Sequence, residues 1–448
     1  MTYEEALAFW YGRIDYERRA AKPDDLKLDR MRRLLELLGN PEQSMRIVHV
    51  AGTKGKGSTS AMLAQVLRDA GYRVGLFTSP HLSHVEERIQ VDGQPITHAE
   101  VAARMAEIRP AVECMERTGD VQLAPTFFEV GTALGLMHFI CRQVEIVILE
   151  VGLGGRFDST NVITPLISVI TSISFDHMAQ LGNTIALIAR EKAGIIKSGR
   201  PVISGAAHPD ADAVVREVAS SRHAPLAELG RDTHYRYYPA LYCDALMHPR
   251  LDVRTSHGQW HDLQLKLLGE HQAANAALVI MVVEELRRQG LTIPESAVRS
   301  GLARVTWPAR LEVLSSRPWV ILDCAHNVAS VEALVSMMQQ TFPMTTRCHL
   351  VFAASADKEI REMLQVMSPH FQRIYLTRYR NNPRVSSPEM MAEMLQQLDP
   401  HRFVAVVPEA SDAVEQALAA AAPDDLVMIT GSVFLAGELR PWLLERLR

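Results

Sequence analysis

A glycine-rich turn between an apolar run and an amphipathic, helix-length segment is the feature of this sequence with the clearest chemistry. The turn reads GTKGKGS at 52–58, and the residues that we assign to phosphate binding are Gly52, Thr53, Gly55, Lys56, Gly57 and Ser58. The glycines would let backbone N–H groups approach phosphate oxygens, the lysine supplies a positive charge, and the following helix would direct its positive end at the anion. The spacing differs from GxxxxGK[ST], so it does not indicate a generic P-loop NTPase. A plain glycine turn capped by Ser58 is the alternative.

Polar residues also stand at the ends of three later apolar runs. Ser79 lies in FTSPHL, just after the apolar run that ends at Phe77. Glu150 is the last residue of EIVILE, and His177 follows Asp176 in ITSISFDHM. Open α/β sheets place ligand chemistry at the carboxyl ends of their parallel strands, and hard cations such as Mg²⁺ prefer oxygen ligands. Ser79 and Glu150 are therefore predicted magnesium ligands. Each residue alone has a plainer explanation, namely a turn, a sheet-edge cap or a structural histidine, and the three together favour a site.

The elements that must position these residues alternate between short β-rich runs and amphipathic helix-length segments. This alternation is typical of parallel sheets covered by helices on both faces, so the predicted class is α/β. The predicted strands lie near 47–50, 74–77, 146–151, 167–173 and 202–204 in the first half, and near 320–322, 349–352, 373–376, 404–406 and 426–429 in the second. Between 223 and 268 short polar and aromatic runs predict antiparallel hairpins.

The length of 448 residues exceeds one comfortable hydrophobic core and predicts two large domains. A helix is predicted at 271–288, and the residues Thr306 to Pro308 then interrupt the periodicity where a linker would sit. We therefore place the domains at 1–305 and 309–448.

Composition excludes several classes of protein. With 47% hydrophobic and 22% charged residues, the chain resembles an ordinary globular protein. Its formal net charge of −5 gives no basic field for nucleic acid or an anionic membrane, so any anion must be held by a local site. The N-terminus does not read as a signal peptide, and no apolar run reaches the roughly 18 residues needed to span a bilayer. Five cysteines without a CxxC pair predict buried free thiols in a reducing, cytoplasmic compartment.

Blocks of sequence in one order along nearly the whole chain resemble the folylpolyglutamate synthase and dihydrofolate synthase family within the Mur ligase superfamily. The blocks are GTKGKGS, FTSPHL, EVGLGGRFDSTN, FDHM with EKAGIIK, GEHQAANAAL, WPARLE, LDCAHNV, FAASADKEI and TGSVFLAGELR. The resemblance implies an N-terminal domain with a P-loop ATPase-type, mostly parallel sheet that has helices on both faces. It also implies a smaller C-terminal, Rossmann-like α/β domain of the glutamate-ligase type.

The resemblance further implies an activity, the ATP-dependent addition of L-glutamate to dihydropteroate or to a reduced folate. A carboxylate is a poor electrophile at neutral pH, so the γ-phosphate of ATP is first transferred to it. The amine of glutamate then attacks the acyl phosphate. The sequence does not distinguish the two acceptors. Small molecules are the expected partners, with no nucleic acid, no membrane and a monomeric chain.

Metal and phosphate contacts carry over from the family by motif. Lys56 would contact the ATP phosphates together with Ser58 of the same turn. Ser79 and Glu150 would bind one Mg²⁺ and His177 a second. Lys192 resembles the family lysine that is carbamylated, and the carbamate would be an oxygen ligand that helps to place the second magnesium.

Nucleotide contacts from later in the chain carry over in the same way. Asn275 resembles the adenine contact, Arg310 the linker arginine that reaches the phosphates, and Asp323 the ribose contact. His326 lies in the same motif as Asp323 and would face the active cleft. The predicted catalytic residues are therefore Lys56, His177, Lys192 and His326.

The chain departs from the family pattern at four positions. Lys54 stands where the family usually has Asn, and it either adds charge near the phosphates or points to solvent. Cys324 replaces a usual Gly and adds bulk beside the predicted ribose contact. Val328 stands where Pro is common, and Ser174 where Gly is usual.

Two alternatives to the folate ligase remain at this stage. A murein-type ligase resembles the chain at the glycine-rich turn, but those enzymes carry an additional domain before the loop, for which the position of Gly52 leaves no room. A nucleotide-gated binding protein without ligase chemistry would not need Glu150, His177 and Lys192, and all three are present.

Overall fold

Parallel sheets organise both halves of the chain in the computed structural model, which describes residues 1–16, 27–117, 124–241, 248–342, 346–380 and 382–447. The chain divides into two compact units. The first comprises Met1–Arg236, Asp252–His261 and Ala274–Arg304, and the second comprises Tyr237–Leu251, Asp262–Ala273 and Val305–Arg448. The predicted α/β class is confirmed, and the domain limits at 1–305 and 309–448 stay a prediction.

The first unit is built on one large sheet. Its strands are β1 Ile47–Ala51, β2 Val74–Phe77, β3 Ile89–Val91, β4 Gln94–Pro95, β5 Ile146–Glu150, β6 Ile167–Ile170, β7 Val202–Ser204 and β8 Leu226–Glu228. Their order is β4-β3-β2-β5-β1-β6-β7-β8, in which β4 pairs with β3 and β3 with β2 in antiparallel fashion and the others pair in parallel. All five strands predicted for this half are confirmed.

The central strands are apolar runs because helices cover both faces of the sheet. Every residue of β1, β5 and β6 is buried. The strand predicted over 167–173 ends at Ile170. Beyond it, the hydroxyls of Thr171 and Ser172 donate to the carbonyl of Lys54, at 2.7 and 3.1 Å. These bonds tie the segment after β6 to the glycine-rich turn after β1.

Helices alternate with these strands along the chain. They are α1 Tyr3–Tyr11, α2 Asp29–Leu37, α3 Lys56–Asp69, α4 His98–Glu116, α5 Phe127–Cys141, α6 Met178–Leu181, α7 Ile185–Ala193, α8 Pro209–Ser221, α9 Glu270–Arg288 and α10 Glu295–Arg304. One apolar cluster packs residues of α1, α2, α4 and α5 with strand residues that include Phe77 and Leu149. A second packs α7 and α8 with strand residues that include Ile170 and Val202. The burial of these apolar faces fixes the strand ends that carry the predicted site.

A small separate sheet lies within the segment predicted to form hairpins. Its strands are β9 His234–Tyr238, β10 Arg250–Arg254 and β11 Gln259–Gln264, in the order β11-β10-β9. β10 and β11 form a hairpin, in which the N–H of Leu265 donates to the carbonyl of Pro249 at 2.9 Å. The hairpin prediction is confirmed for this pair.

The second unit is built on a six-stranded sheet. Its strands are β12 Glu312–Ser316, β13 Trp319–Leu322, β14 Cys348–Phe352, β15 Arg373–Leu376, β16 Phe403–Val406 and β17 Leu426–Thr430, in the order β12-β13-β17-β14-β15-β16. All neighbours are parallel except β12 with β13. Its helices are α11 Val328–Thr341, α12 Ile360–Met367, α13 Pro388–Leu398, α14 Ala410–Ala420 and α15 Val433–Arg446. The five strands predicted for this half are confirmed, and β12 was not predicted.

The cysteine prediction is wrong in one respect. Cys324 and Cys348 are buried free thiols, but Cys114 and Cys141 are exposed, because they lie at the ends of helices α4 and α5 on the solvent side. Cys243 lies outside the described residues. Among the described residues, none of the helices combines the length and the hydrophobicity that a membrane-spanning segment requires.

A histidine is buried in the central strand of the first sheet. His49 of β1 has no exposed surface, and its Nε2 lies 2.8 Å from Oγ1 of Thr160. Burial, with a smaller effect from Lys197, lowers the pKa of His49 from 6.5 to about 3. The imidazole is therefore neutral in the folded chain at any pH near neutrality.

We expect His49 to make the first unit sensitive to acid. Below pH 6.5 the unfolded chain binds a proton at this residue that the folded chain does not bind, so stability falls as pH decreases towards the folded-state pKa. At pH 5 the predicted loss from this one residue is about 2 kcal/mol. Urea unfolding at pH 7.5 and pH 5.0 should show a larger loss for the wild type than for His49→Gln, which does not titrate. Equal losses in the two proteins would contradict the prediction.

Candidate active site

The turn predicted to bind phosphate contains two glycines whose neighbours leave no space for a side chain. Gly55 has a φ of +84°, and a methyl group there would lie 2.3 Å from Oδ1 of Asn275. A methyl group on Gly52 would lie 1.8 Å from Oγ1 of Thr171. The left-handed conformation and the close approach both require glycine. Helix α3 begins at Lys56, so its N-terminal N–H groups face the turn.

Two lysines converge on one carbonyl oxygen of this turn. Nζ of Lys56 lies 3.1 Å and Nζ of Lys192 lies 2.9 Å from the carbonyl oxygen of Gly52. Lys192 is only 4% exposed. Burial, followed by the charge of Lys56, lowers the pKa of Lys192 from 10.5 to about 7. The amine is therefore divided between its neutral and charged forms at neutral pH.

A pocket opens beside these lysines, on the edge of the sheet where β1, β5 and β6 end. Its lining residues are Gly52, Thr53, Lys56, Val151, Gly152, Leu153, Gly154, Asp176, His177 and Lys192. Backbone from two glycine-rich segments and two lysines thus surround one space. Such a lining suits an anion with several oxygen atoms.

The segment after β6 is hydrogen-bonded to the glycine-rich turn along its length. Oγ1 of Thr53 donates to the carbonyl of Ser174 and accepts from its N–H, both at 3.1 Å. Lys54 forms an ion pair with Asp176, with Nζ 2.9 Å from Oδ2. The sequence left open whether Lys54 points to solvent, and the structure shows that it pairs within the site. Ser174, where Gly is usual, contributes its backbone to this contact.

His177 stands at the start of α6 with a φ of +50°. Its N–H donates to Oδ1 of Asp176 at 3.0 Å, and its side chain is 52% exposed. The half-exposed imidazole lies in the pocket lining beside Asp176 and is accessible to a ligand.

Ser79 and Glu150 lie together at neighbouring strand ends. The N–H of Ser79 donates to Oε2 of Glu150 at 3.3 Å, and Glu150 is 3% exposed. Glu150 is paired in register with Val50 of β1, two residues before Gly52. A buried carboxylate and a hydroxyl are oxygen donors of the kind that Mg²⁺ prefers, so these residues fit the predicted ion. In the part of the chain that the structure describes, no group of three or more His, Cys, Asp or Glu residues could hold a metal by itself.

Asp158 and Asn161, which were not predicted from the sequence, hold the second glycine-rich segment in place. The carboxylate of Asp158 accepts the N–H groups of Leu153 and Thr160, at 2.9 and 3.0 Å. Burial raises the pKa of Asp158. Nδ2 of Asn161 donates to the carbonyls of Arg156 and Gly194. Both residues belong to the block EVGLGGRFDSTN, of which only Glu150 was predicted to lie in the site.

Three predicted residues of the second unit cluster around Cys324. The guanidinium of Arg310 contacts Sγ of Cys324, and Nδ1 of His326 lies 2.9 Å from the carbonyl oxygen of Cys324. Asp323 is 8% exposed and accepts the N–H groups of Leu311 and Ala325, at 2.9 and 2.7 Å. Burial raises the pKa of Asp323, against the effect of Arg310 and the backbone donors. The side chain of Cys324, where the family usually has Gly, thus contacts the guanidinium of Arg310.

Val328, at the remaining departure, begins α11 directly after its N-cap residue Asn327. Nothing in the structure explains why this position is Val rather than Pro.

The lack of space between Gly55 and Asn275 allows a test of whether the shape of the turn is needed for nucleotide binding. Gly55→Ala should weaken ADP binding at least about tenfold, because the added methyl group displaces Asn275 and moves the N–H groups of the turn. Gly199→Ala is the matched control, since Gly199 also has a positive φ, +67°, but has no neighbour within 4 Å of the added methyl. Both variants carry the strain of a left-handed residue, about 1 kcal/mol. Isothermal titration with ADP measures the difference, and equal affinities for the two variants would refute the steric account.

Known proteins match the chain over almost its full length. Residues 50–283 match the family model described as Mur ligase middle domain, and residues 309–433 match that described as Mur ligase, glutamate ligase domain. A Bacillus subtilis protein named dihydrofolate synthase/folylpolyglutamate synthase is 38% identical over 441 residues, which cover 98% of both chains. The structure of Mycobacterium tuberculosis folylpolyglutamate synthase complexed with ADP is similar with a TM-score of 0.88, at 32% identity over 98% of both chains. That of E. coli FolC in complex with DHPP and ADP has a TM-score of 0.85, at 31% identity over 100% of this chain and 99% of that chain. By these matches, the chain belongs to the folylpolyglutamate synthase and dihydrofolate synthase family of the Mur ligases.

Proposed function

We propose that the pocket beside Gly52 binds the phosphates of ATP and that the chain uses them to join L-glutamate to a pteroate or folate. As a member of its family, the chain is an ATP-dependent glutamate ligase of folate metabolism. The observation that carries the assignment of the pocket is the convergence of Lys56 and Lys192 on the carbonyl oxygen of Gly52. Like charges held this close favour a bound anion between them.

The reaction follows from the weakness of a carboxylate as an electrophile. Its oxygen attacks the γ-phosphorus of ATP, ADP leaves, and an acyl phosphate forms. The neutral amine of glutamate then attacks the acyl carbon, phosphate leaves, the nitrogen loses a proton to solvent or to the departing phosphate, and an amide results. Lys56 and the N–H groups of the turn would balance the negative charge on the transferring phosphoryl group. This route requires no covalent bond to the enzyme.

Magnesium is proposed at two places. Ser79 and Glu150 would hold one ion by oxygen atoms, and His177 with a carbamate on Lys192 would hold the second. Bound Mg²⁺ would withdraw electron density from the phosphate oxygens and so stabilise the developing charge.

A carbamate on Lys192 is chemically reasonable at this position. Carbon dioxide reacts with a neutral amine, and burial holds the pKa of Lys192 at about 7, so much of the amine is neutral at physiological pH. The carbamate would replace a cation by a carboxylate-like anion. It would thereby remove the repulsion between Lys192 and a metal ion.

Further nucleotide contacts are proposed for four residues later in the chain. Arg310 would reach the phosphates, Asp323 the ribose, and His326 the active cleft, while Asn275 of the first unit would contact the adenine. The proximity of Arg310 and His326 to Cys324 supports a shared role for these two residues. The monomeric state and cytoplasmic location remain predictions.

The acceptor decides which of the two family activities the chain has. The B. subtilis relative is named for both activities, and the E. coli structure contains DHPP. We therefore propose dihydropteroate or a reduced folate as the acceptor. Incubation with ATP, Mg²⁺ and glutamate, with each acceptor offered separately, should give acceptor-dependent ADP release and a product one glutamyl residue heavier by mass. A chain that binds ADP but releases none from ATP with either acceptor would instead be a nucleotide-gated binding protein.

Lys56→Ala should lower this ligation rate at least about a hundredfold while the fold remains intact, because the lost charge acts on phosphates and not on a core. Lys266→Ala, which removes the same charge from an exposed position, is the control and should keep wild-type turnover. Initial rates and circular dichroism are measured on both variants. Near wild-type turnover in folded Lys56→Ala would remove the basis of the phosphate assignment.

The carbamate should be visible by NMR with ¹³C-bicarbonate. We expect a carbamate signal that grows as pH rises through about 7 and that is absent from Lys192→Ala, because only the neutral amine reacts. Lys197 is the matched control, since burial lowers its pKa to about 8, and Lys197→Arg should keep the signal. Ligation by Lys192→Ala should fall and recover in part with short carboxylates. An identical carbamate signal in wild type and Lys192→Ala would place the modification on another group, and no signal in either protein would show that the carbamate does not form.

A further inference from the structure

Lys54 is held in place at both its backbone and its side chain. Its carbonyl oxygen accepts the hydroxyls of Thr171 and Ser172, at 2.7 and 3.1 Å. Its ammonium lies 2.9 Å from Oδ2 of Asp176, on the turn that follows β6. The two side chains are 28% and 11% exposed, so the pair is partly shielded from water. Lys54 therefore connects the glycine-rich turn to the segment that carries His177.

Asp176 brings a negative charge into the lining of the pocket that is proposed to bind phosphate. Among the described residues that line it, Asp176 is the one carboxylate, and the other charged side chains are Lys56 and Lys192. An ionised carboxylate in this lining repels phosphate oxygens, and it also offers oxygen ligands to any cation that enters with them. The first effect would weaken phosphate binding, and the second would draw a cation to Asp176 instead of to the ligands proposed above. The ion pair with Lys54 opposes both of them.

We propose that Lys54 is a positioning residue that acts through Asp176: it neutralises this carboxylate and holds it away from the bound polyphosphate, so that the pocket accepts nucleotide without needing a cation at Asp176. The inference rests on the proposed function of the pocket as a phosphate site. It assigns to Lys54, which stands where the family usually has Asn, the role of neutralising the charge of Asp176.

The proposal predicts a dependence on magnesium. Without Lys54, Asp176 would face the phosphates uncompensated, and ADP binding would suffer most when no cation is available to pair with it. Excess Mg²⁺ would then restore much of the affinity. A lysine that bonds directly to phosphate would behave differently, because its loss would weaken ADP binding whether or not Asp176 carries a charge.

A double-mutant cycle on ADP affinity separates these roles. The proteins are wild type, Lys54→Met, Asp176→Asn and the double variant, with Lys54→Arg as the conservative substitution. Asn at 176 keeps an oxygen that can accept the N–H of His177. Isothermal titration with ADP is carried out in EDTA and in excess Mg²⁺. Lys54→Gln repeats the cycle if Lys54→Met does not fold.

In EDTA we expect Lys54→Met to weaken ADP binding roughly tenfold in the wild-type background and less than about twofold in the Asp176→Asn background. Lys54→Arg should retain affinity, and the loss in Lys54→Met should shrink with Mg²⁺. Equal losses in both backgrounds, or no loss in either, would overturn the proposal. Lys56→Ala serves as the reference for the phosphate site. If Lys56→Ala leaves ADP affinity unchanged, the proposed function fails. If Lys56→Ala weakens ADP binding but the effects of Lys54→Met and Asp176→Asn are additive, only the role of Lys54 is overturned.

Discussion

The hydrogen bonds from Lys56 and Lys192 to the carbonyl oxygen of Gly52 are the constraint on which the account of the site depends. Two ammonium groups directed at one oxygen repel each other, and one of them is almost fully buried. Burial and the neighbouring charge together lower the pKa of Lys192. The repulsion between the two ammonium groups is relieved when an anion enters the pocket or when Lys192 loses its charge. The proposed chemistry involves both changes.

The fold produces this arrangement by joining segments that are far apart in sequence. β1 and β6 are neighbours in the sheet, so the turns after them meet at one edge. Contacts at Gly52, Thr53 and Lys54 then fasten the two turns together. α7 brings Lys192 to the same place because its apolar face packs with α8 and with the strands beneath it. The precision of the site thus comes from buried strands and helices, and the turns only present its polar groups.

Much of the fold was predictable from the sequence for a physical reason. Strands buried on both faces are short apolar runs, and such runs identified most of the predicted strands. The edge strand β16, whose residues are exposed or half-buried, was predicted from its apolar sequence alone. The antiparallel strands β3, β4 and β12 are not continuous apolar runs of this kind, and they were missed. The exposed thiols of Cys114 and Cys141 were missed because the absence of a CxxC motif carries no information on burial.

The candidate site was predictable as a set of residues but not as a set of contacts. The motifs predicted that Lys56, His177 and Lys192 belong to one site, and all three line one pocket. The partner of Lys54 could not be read from the sequence, because Asp176 lies 122 residues away and meets it only through sheet pairing. The same holds for Asn275, whose contact with Gly55 depends on where α9 packs.

Hydrogen–deuterium exchange with and without ADP reports on the backbone N–H groups of the glycine-rich turn, which must bind phosphate if this turn is the nucleotide site. With ADP at saturation, confirmed by calorimetry on the same sample, exchange should slow in peptides that cover 52–59. It should change little at strands β14 and β15, whose N–H groups are already in the sheet of the second unit. Saturating ADP that leaves exchange at 52–59 unchanged would contradict the assignment of this turn as the phosphate site.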